Sequence, residues 1–207
     1  IQPIKKIGAL CNQKDIPFHV DAAQSLGKIN IDVKKMNIDL MSISSHKIYG
    51  PKGIGALYIN HKIKHKIKPI FFGGGQENGI RPGTQPVPLI VGFGKACEIS
   101  QHVMVEEGKK ISVLRDNLMT MILGNIPKAY VNGSMEHRLP GNLNMSFPGA
   151  NNEAIIAAVP EIAISSGAAC TTSTMEPSHV LLALGLSKKD AYSSLRFGIG
   201  RFNTEKD

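Results

Sequence analysis

The stretch from Ser44 to Ile59, Ser-Ser-His-Lys-Ile-Tyr-Gly-Pro-Lys-Gly-Ile-Gly-Ala-Leu-Tyr-Ile, limits the folds open to this chain more than any other. With the run Ile38 to Ser42 before it, the stretch predicts a buried strand that ends in small hydroxyl residues and then presents His46 and Lys47 together. Strand ends are where an α/β protein keeps its chemistry. Gly50, Pro51, Gly53 and Gly55 turn the backbone sharply, and Ile54 to Ile59 predicts a second apolar strand leaving the site. Lys47 is thereby expected on a tight strand-to-strand turn. A lysine partly desolvated at such a place has a lowered pKa, which suits it to a Schiff base with a carbonyl cofactor or substrate. The same residues also fit a plain surface loop, Lys47 being one of 24 basic side chains.

Apolar residues make up 42% of the 207, enough for a sizeable core in one large domain or one and a half smaller ones. No window approaches a membrane span, and Ile1 to Lys6 lacks a signal-peptide pattern, so a soluble chain that is not secreted is expected. Cys11, Cys97 and Cys170 are odd in number and widely spaced, which argues against a disulfide framework or a Cys-x-x-Cys metal site and fits a reducing compartment. The net charge of +8 raises the question of nucleic acid. Aromatic residues are only 5%, without Trp, and the densest basic run, His61 to Lys68, alternates with Ile63 and Ile67 as a solvated face over a buried one does. Neither direct nucleic-acid binding nor membrane attachment is expected.

In chain order, Ile4, Ile7, Leu10 and Cys11 have helical spacing. Phe18 to Asp21 predicts a short buried strand with Asp21 at its carboxyl end, leaving through small residues to Gln24. Val33 to Asn37 reads as a helical turn. If the strands ending at Asp21 and Ser42 are parallel neighbours, Asp21, Gln24, His46 and Lys47 gather in one crevice. The segment Gly73 to Thr84 is dense in glycine and lets backbone approach a phosphate, although it matches neither a P-loop nor a dinucleotide fingerprint. From Pro88 to Gly124 the apolar spacing describes long helical segments forming a spine between two domains. Short strands near Tyr130 and Asn144 to Phe147, a helix from Asn152 to Val159 and a strand Ile162 to Ile164 predict a smaller α+β domain.

Small and hydroxyl residues surround Cys170 between Ser165 and Pro177, so an exposed thiol on a mobile loop is expected there, a candidate nucleophile. Cys11 and Cys97 lie on apolar helical faces and read as small buried hydrophobes. Arg196 stands inside the apolar strand Ser194 to Gly200. A buried arginine requires an anion, either a structural carboxylate or the carboxylate of a ligand.

His19-Val20-Asp21-Ala22-Ala23-Gln24, Ser44 to Gly53, Arg81-Pro82-Gly83-Thr84, Ser165 to Cys170 and Ser194 to Phe202 together resemble the NifS/IscS-type cysteine desulfurases, of the long-Cys-loop IscS subgroup. The resemblance runs over essentially all 207 residues and corresponds to the C-terminal half to two-thirds of a family chain. It implies an α/β protein of the pyridoxal 5'-phosphate-dependent transferase fold type I. Residues 1–104 are then the C-terminal part of the large cofactor-binding domain, with a mixed, mainly parallel sheet, and residues 105–207 the small α+β domain with the catalytic cysteine loop. It implies a homodimeric cysteine desulfurase that takes sulfur from L-cysteine, releases L-alanine and leaves a persulfide on Cys170 for iron–sulfur cluster assembly or tRNA thiolation. By the resemblance Lys47 holds the cofactor and moves the Cα proton, Asp21 pairs with the pyridine nitrogen, and Gln24 pairs with the phenolic oxygen. Ser44 and His46 bind the phosphate, Thr84 reaches the phosphate in the other subunit, Arg196 clamps the substrate carboxylate and Cys170 is the nucleophile. The implied partners are L-cysteine, a second copy, an iron–sulfur scaffold of IscU type and other sulfur acceptors. Cys170 has a metal role only as a transient ligand of a 2Fe-2S cluster shared with such a scaffold. The cytoplasm of a bacterium, or the mitochondrial matrix of a eukaryote, is the implied location.

Two features depart from the family. Segments that precede the position of Ile1 in family chains, including a phosphate loop and a His that stacks on the cofactor, are not among these residues, so the chain reads as a fragment expected to be unstable and inactive in isolation. Ser45 stands where Gly or Ala is usual, and Pro82 where Ser is common. A selenocysteine lyase, another class V aminotransferase or an inactive remnant would share Asp21, Gln24 and Lys47; the cysteine loop separates the desulfurase from the two related enzymes.

Overall fold

Two compact units make up the chain, Ile1–Val105 and Glu106–Asp207, in a computed structural model that describes residues 1–166 and 177–207. In the first, the helical spacing read from Ile4 onward gives α1 (Ile4–Gln13), whose Ile4 packs against the core. β1 (His19–Asp21) and β2 (Leu40–Ser44) pair in parallel with Asp21 opposite Ser42, and β3 (Gly55–Ile59) returns antiparallel along β2. The sheet is mixed, in the order β1-β2-β3. Side-chain alternation sends Val20, Met41, Ile43 and Tyr58 to one face, where they pack with Ala22 and Ile38. His19, Asp21, Ser42 and Ser44 take the other face, with Leu40, Leu57 and Ile59.

Val33 to Asn37 forms turns held by Asp32, whose Oδ1 accepts from the N–H groups of Lys34 and Lys35 at 3.1 and 3.0 Å. The basic run becomes a 3-10 turn, His61–Lys66, with Ile63 buried and its lysines exposed. Where the sequence predicts helical segments, the structure has one helix of 39 residues, α2 (Val87–Asn125). Its inward stripe runs through Phe93, Ala96, Ser100, Ile111 and Arg115, a 3.6-residue rhythm that includes two polar side chains the apolar pattern does not reveal.

The second unit holds β4 (Tyr130–Val131), β5 (Asn142–Ser146) and β6 (Ser194–Gly198), antiparallel in that order. Leu143, Met145 and Leu195 are fully buried in its core. α3 (Asn152–Ala158) starts where the Asn151 side chain accepts from the N–H groups of Glu153 and Ala154. α4 (His179–Ala183) ends just before Gly185, whose φ of 91° continues the chain out of the helix, and α5 (Lys188–Tyr192) leads into β6. This α+β unit also contains a buried polar cluster. The Asn132 amide donates to Asn144 Oδ1 (2.7 Å), Ser146 Oγ (2.9 Å) and Ser194 Oγ (3.1 Å), while Asn132 Oδ1 accepts from Ser146 Oγ at 3.0 Å.

One predicted strand is absent. Ile162 donates to Val159 O and Ile164 to Ile162 O, so the backbone there is turned, and only Ser165 bridges to β6 at Arg196. Ile162 is 49% exposed, so the short apolar run lacks the burial that would hold a strand.

Candidate functional site

Parallel pairing of β1 and β2 brings five of the sequence-selected side chains to one end of the sheet. Asp21 closes β1, Ser44 closes β2, Gln24 stands three residues beyond Asp21, and His46 and Lys47 lie in the 3-10 turn Ser45–Ile48 that follows β2 directly. The ladder is prolonged by Ala22 N–H donating to Ser42 O at 2.9 Å, which holds the two exits side by side. Asp21 Oδ1 accepts from Ala23 N–H at 2.9 Å, an Asx turn that fixes the carboxylate as the chain leaves the strand. Gln24 Oε1 accepts from Lys28 Nζ at 3.1 Å.

Lys47 and His46 are exposed. The partial desolvation expected of Lys47 is therefore not met in this chain, while Ile48, the next residue, is buried against α2. The sequence reading passed over a further pair, His19 and Ser42. His19 Nε2 lies 2.8 Å from Ser42 Oγ on the same face as Asp21. The two-residue step from His19 to Asp21 is the sequence signal that places both on one face.

Thr84 lies in the glycine-rich segment of the first unit and is exposed. The segment is tied to itself: Gly83 N–H donates to Gln76 Oε1 and Arg81 Nη1 to Gly83 O, both at 3.1 Å, with Glu77 and Asn78 in left-handed conformations. Ahead of it Ile70, Phe71 and Phe72 are 86%, 75% and 88% exposed, three adjacent apolar side chains that a covered surface would suit better than water.

Arg196 belongs to β6 of the second unit. Its backbone N–H donates to Ser165 O at 2.7 Å, while its half-buried guanidinium has no carboxylate partner among the described residues. Cys170 lies outside the described residues, so its expected exposure is not addressed. Cys97 packs beside the Ile48–Phe93–Ala96 cluster, and burial pushes its thiol up, as befits a small hydrophobe and not a nucleophile. Among the described residues no group of three or more His, Cys, Asp or Glu is gathered as for a metal ion, and no helix is long and apolar enough to cross a membrane.

A primary amine, a carboxylate, two hydroxyl or imidazole donors and an amide at one strand-end crevice make a donor set of the kind that pyridoxal 5'-phosphate requires. The profile of the family described as Aminotransferase class-V matches residues 1–207. The chain belongs to this family. Class-V members and the NifS and IscS desulfurases depend on pyridoxal 5'-phosphate, and Asp21, Gln24, Ser44, His46 and Lys47 fit that group. This class-V chain is 51% identical over 207 residues to the cysteine desulfurase IscS of Rickettsia typhi and 54% identical over 208 residues to that of Ehrlichia chaffeensis, all of this chain being covered in both cases. Those matches take up 50% and 51% of the relatives, so the chain spans about half their length. Among solved structures, a NifS-like protein from Rickettsia africae superposes with a TM-score of 0.89 at 32% identity, over all of this chain and 54% of that one. The DndA structure from Streptomyces lividans gives 0.76 at 35% identity, over 97% and 57%. The fold is that of the type I pyridoxal-phosphate enzymes, and the chain covers part of their large domain.

Proposed function

We propose that this class-V chain carries out cysteine desulfuration: sulfur passes from L-cysteine to the Cys170 thiol, giving L-alanine and a Cys170 persulfide. Atoms balance, since the thiol gains one sulfur and the substrate β-carbon exchanges its sulfur for hydrogen. The observation that carries the reading is the parallel register that sets Asp21 and the Lys47 turn at the same end of adjacent strands. When bound, pyridoxal phosphate supplies the sink for the electron pair left at the substrate Cα. Lys47 Nζ holds the cofactor and carries the Cα proton, Asp21 keeps the pyridine nitrogen protonated, Gln24 meets the phenolic oxygen, and Ser44 and His46 bind the phosphate. Arg196 takes the substrate carboxylate; the absence of a carboxylate on its guanidinium among the described residues supports that role. With the Cys97 thiol pushed up by partial burial, Cys170 is the better nucleophile.

The bare Ile70–Phe72 surface beside the Thr84 segment supports a homodimer in which Thr84 serves the neighbouring subunit's phosphate site. The persulfide then passes to sulfur acceptors, an iron–sulfur scaffold of IscU type among them, with any 2Fe-2S contact to Cys170 confined to that transfer. The free thiols of Cys11 and Cys97 support a reducing setting, the bacterial cytoplasm or the mitochondrial matrix.

The test is a chimera in which residues 1–207 replace the matching half of the Rickettsia typhi relative. With L-cysteine it should release one alanine per persulfide formed on Cys170, and Cys170→Ser should form no persulfide while still binding cofactor. Amino transfer to a 2-oxo acid in place of alanine release would turn the reading toward an aminotransferase. In the same chimera Arg196→Lys should raise KM for L-cysteine by about 10- to 100-fold through loss of the two-pronged carboxylate contact. An unchanged KM would return Arg196 to a structural role.

A further inference from the structure

We propose that Gly50 is a positioning residue for Lys47, and that its missing side chain, packed against Ser45 and Ala96, sets the direction in which the lysine leaves the sheet. This rests on the reading of Lys47 as the cofactor lysine.

The turn that bears Lys47 is tied at both ends through one residue. Ser45 N–H donates to Ile54 O at 3.2 Å, and Ser45 O accepts from the N–H groups of Tyr49 and Gly50, the latter at 3.1 Å. Tyr49, with φ 65°, reverses the chain so that Gly50 folds back under Ser45. A methyl group on Gly50 would overlap the Ser45 hydroxyl and stand 3.0 Å from the Ala96 Cβ of α2. The contact is therefore closed: Ser45 is fully buried, and its hydroxyl has no hydrogen-bond partner.

From the other side, Ile48 is held by Phe93 and Ala96 of α2 and by Gly27, where a methyl would lie 2.9 Å from Ile48 Cγ2. Gly27 belongs to the segment that leaves β1 past Asp21 and Gln24. The turn is thus clamped between α2 and the Asp21 segment, with Ile48 and Gly50 as its two feet. Lys47, between them in sequence, is exposed and makes no hydrogen bond or ion pair among the described residues, so its direction is inherited from those feet. An atom added at Gly50 meets the hydroxyl of the fully buried Ser45, the Ala96 Cβ at 3.0 Å and Ser45 O at 3.2 Å, and in a closely packed interior it tilts the turn.

The experiment uses the 207-residue chain, pyridoxal 5'-phosphate as probe, borohydride reduction and peptide mapping, with labelling normalised to folded protein by circular dichroism. Gly50→Ala should lower the labelling rate at Lys47 by about tenfold or more, as misplacement of a reacting group by an ångström does. The ratio of label on Lys47 to label on Lys52, the exposed lysine of the same loop, should fall with it. The double variant Gly50→Ala with Ser45→Gly removes the overlapping hydroxyl and should restore both quantities to within about threefold of the parent. Gly141→Ala, which overlaps Ile199 O in the second unit, is the control for general destabilisation and should leave the Lys47 to Lys52 ratio unchanged. If Gly50→Ala does not fold, the double variant decides: recovery of folding with the parental ratio supports the proposal, and failure overturns it. Parental labelling by Gly50→Ala also overturns it. A parent chain labelled elsewhere than Lys47 would instead remove the cofactor-lysine assignment on which the proposal stands.

Discussion

Lys47→Ala should reduce the borohydride-fixed pyridoxyl label on the chain to background while leaving its thermal unfolding unchanged. Lys47 is exposed and takes part in no hydrogen bond or ion pair among the described residues, so its removal deprives the fold of nothing. The turn beneath it keeps its anchors, because those are the Ser45 backbone and the Ile48 side chain. No other lysine follows the carboxyl end of either parallel strand so closely; Lys28 is seven residues past Asp21 and engaged with Gln24, and Lys52 lies beyond Pro51. In the chimera the same substitution should lower alanine formation by about 10²- to 10⁴-fold, the range for loss of a positioned proton carrier. Label recovered on Lys52 in the parent chain would sink the assignment.

The largest stability loss is expected in the second unit, at Asn132. Asn132 is 3% exposed, and Ser146 and Ser194, which it joins, are fully buried. The two serines also touch each other at 2.8 Å, and Ser194 Oγ donates to the backbone carbonyl of Asp190 at 2.7 Å, so the cluster ties the exit of β4, β5, β6 and α5 together. Asn132→Ala removes the donor and the acceptor at its centre at once and takes their shared partner from two fully buried serines. The cost should be about 2–4 kcal/mol. For a unit of this size that lowers the midpoint of thermal unfolding by at least about 8 °C. Because Asn132 lies in the second unit and the Lys47 turn in the first, pyridoxyl labelling at Lys47 should continue at the temperatures where the second unit has already melted. A loss below about 0.5 kcal/mol would mean that the serines find other partners.

These two sites differ in how far the sequence discloses them. Asp21 and Lys47 are legible because each follows a short apolar run and is itself followed by small residues, a local pattern that marks a strand end. Their adjacency required only the assumption of parallel pairing, which the register from His19–Leu40 to Asp21–Ser42 bears out. Asn132, Ser146 and Ser194 carry no such mark. They are three small polar residues far apart in the chain, and only the β4-β5-β6 pairing reveals that they share a dry interior. Ser100 and Arg115 escaped for a related reason. Each interrupts the apolar stripe of α2, and while Arg115 pairs with the adjacent Asp116, its Nη1 also donates to Pro140 O, 25 residues away. Ile162 to Ile164 was misread in the opposite sense, since three apolar residues satisfy the strand pattern whether or not a neighbouring strand takes up their backbone groups. The exposure of Lys47 was not legible at all: desolvation depends on what covers the sheet face, and no property of the Ser44–Ile59 stretch encodes that.

The order in which the second sheet receives its strands bears on its birth at the ribosome. Asn132 and Ser194 are 62 residues apart, and β5, the central strand, has β4 as its only neighbour until β6 is made. At translation rates of about 5–20 residues per second, the amide of Asn132 waits roughly 3 to 12 seconds for its last partner. Through that interval a nascent chain carries a two-stranded ribbon with apolar Leu143 and Met145 on one side and an incomplete polar cluster beside them, a species that is not stable alone. The second unit therefore completes its sheet only once β6 has been made, and chains stalled between Ser146 and Ser194 should be the ones that proteases and chaperones find.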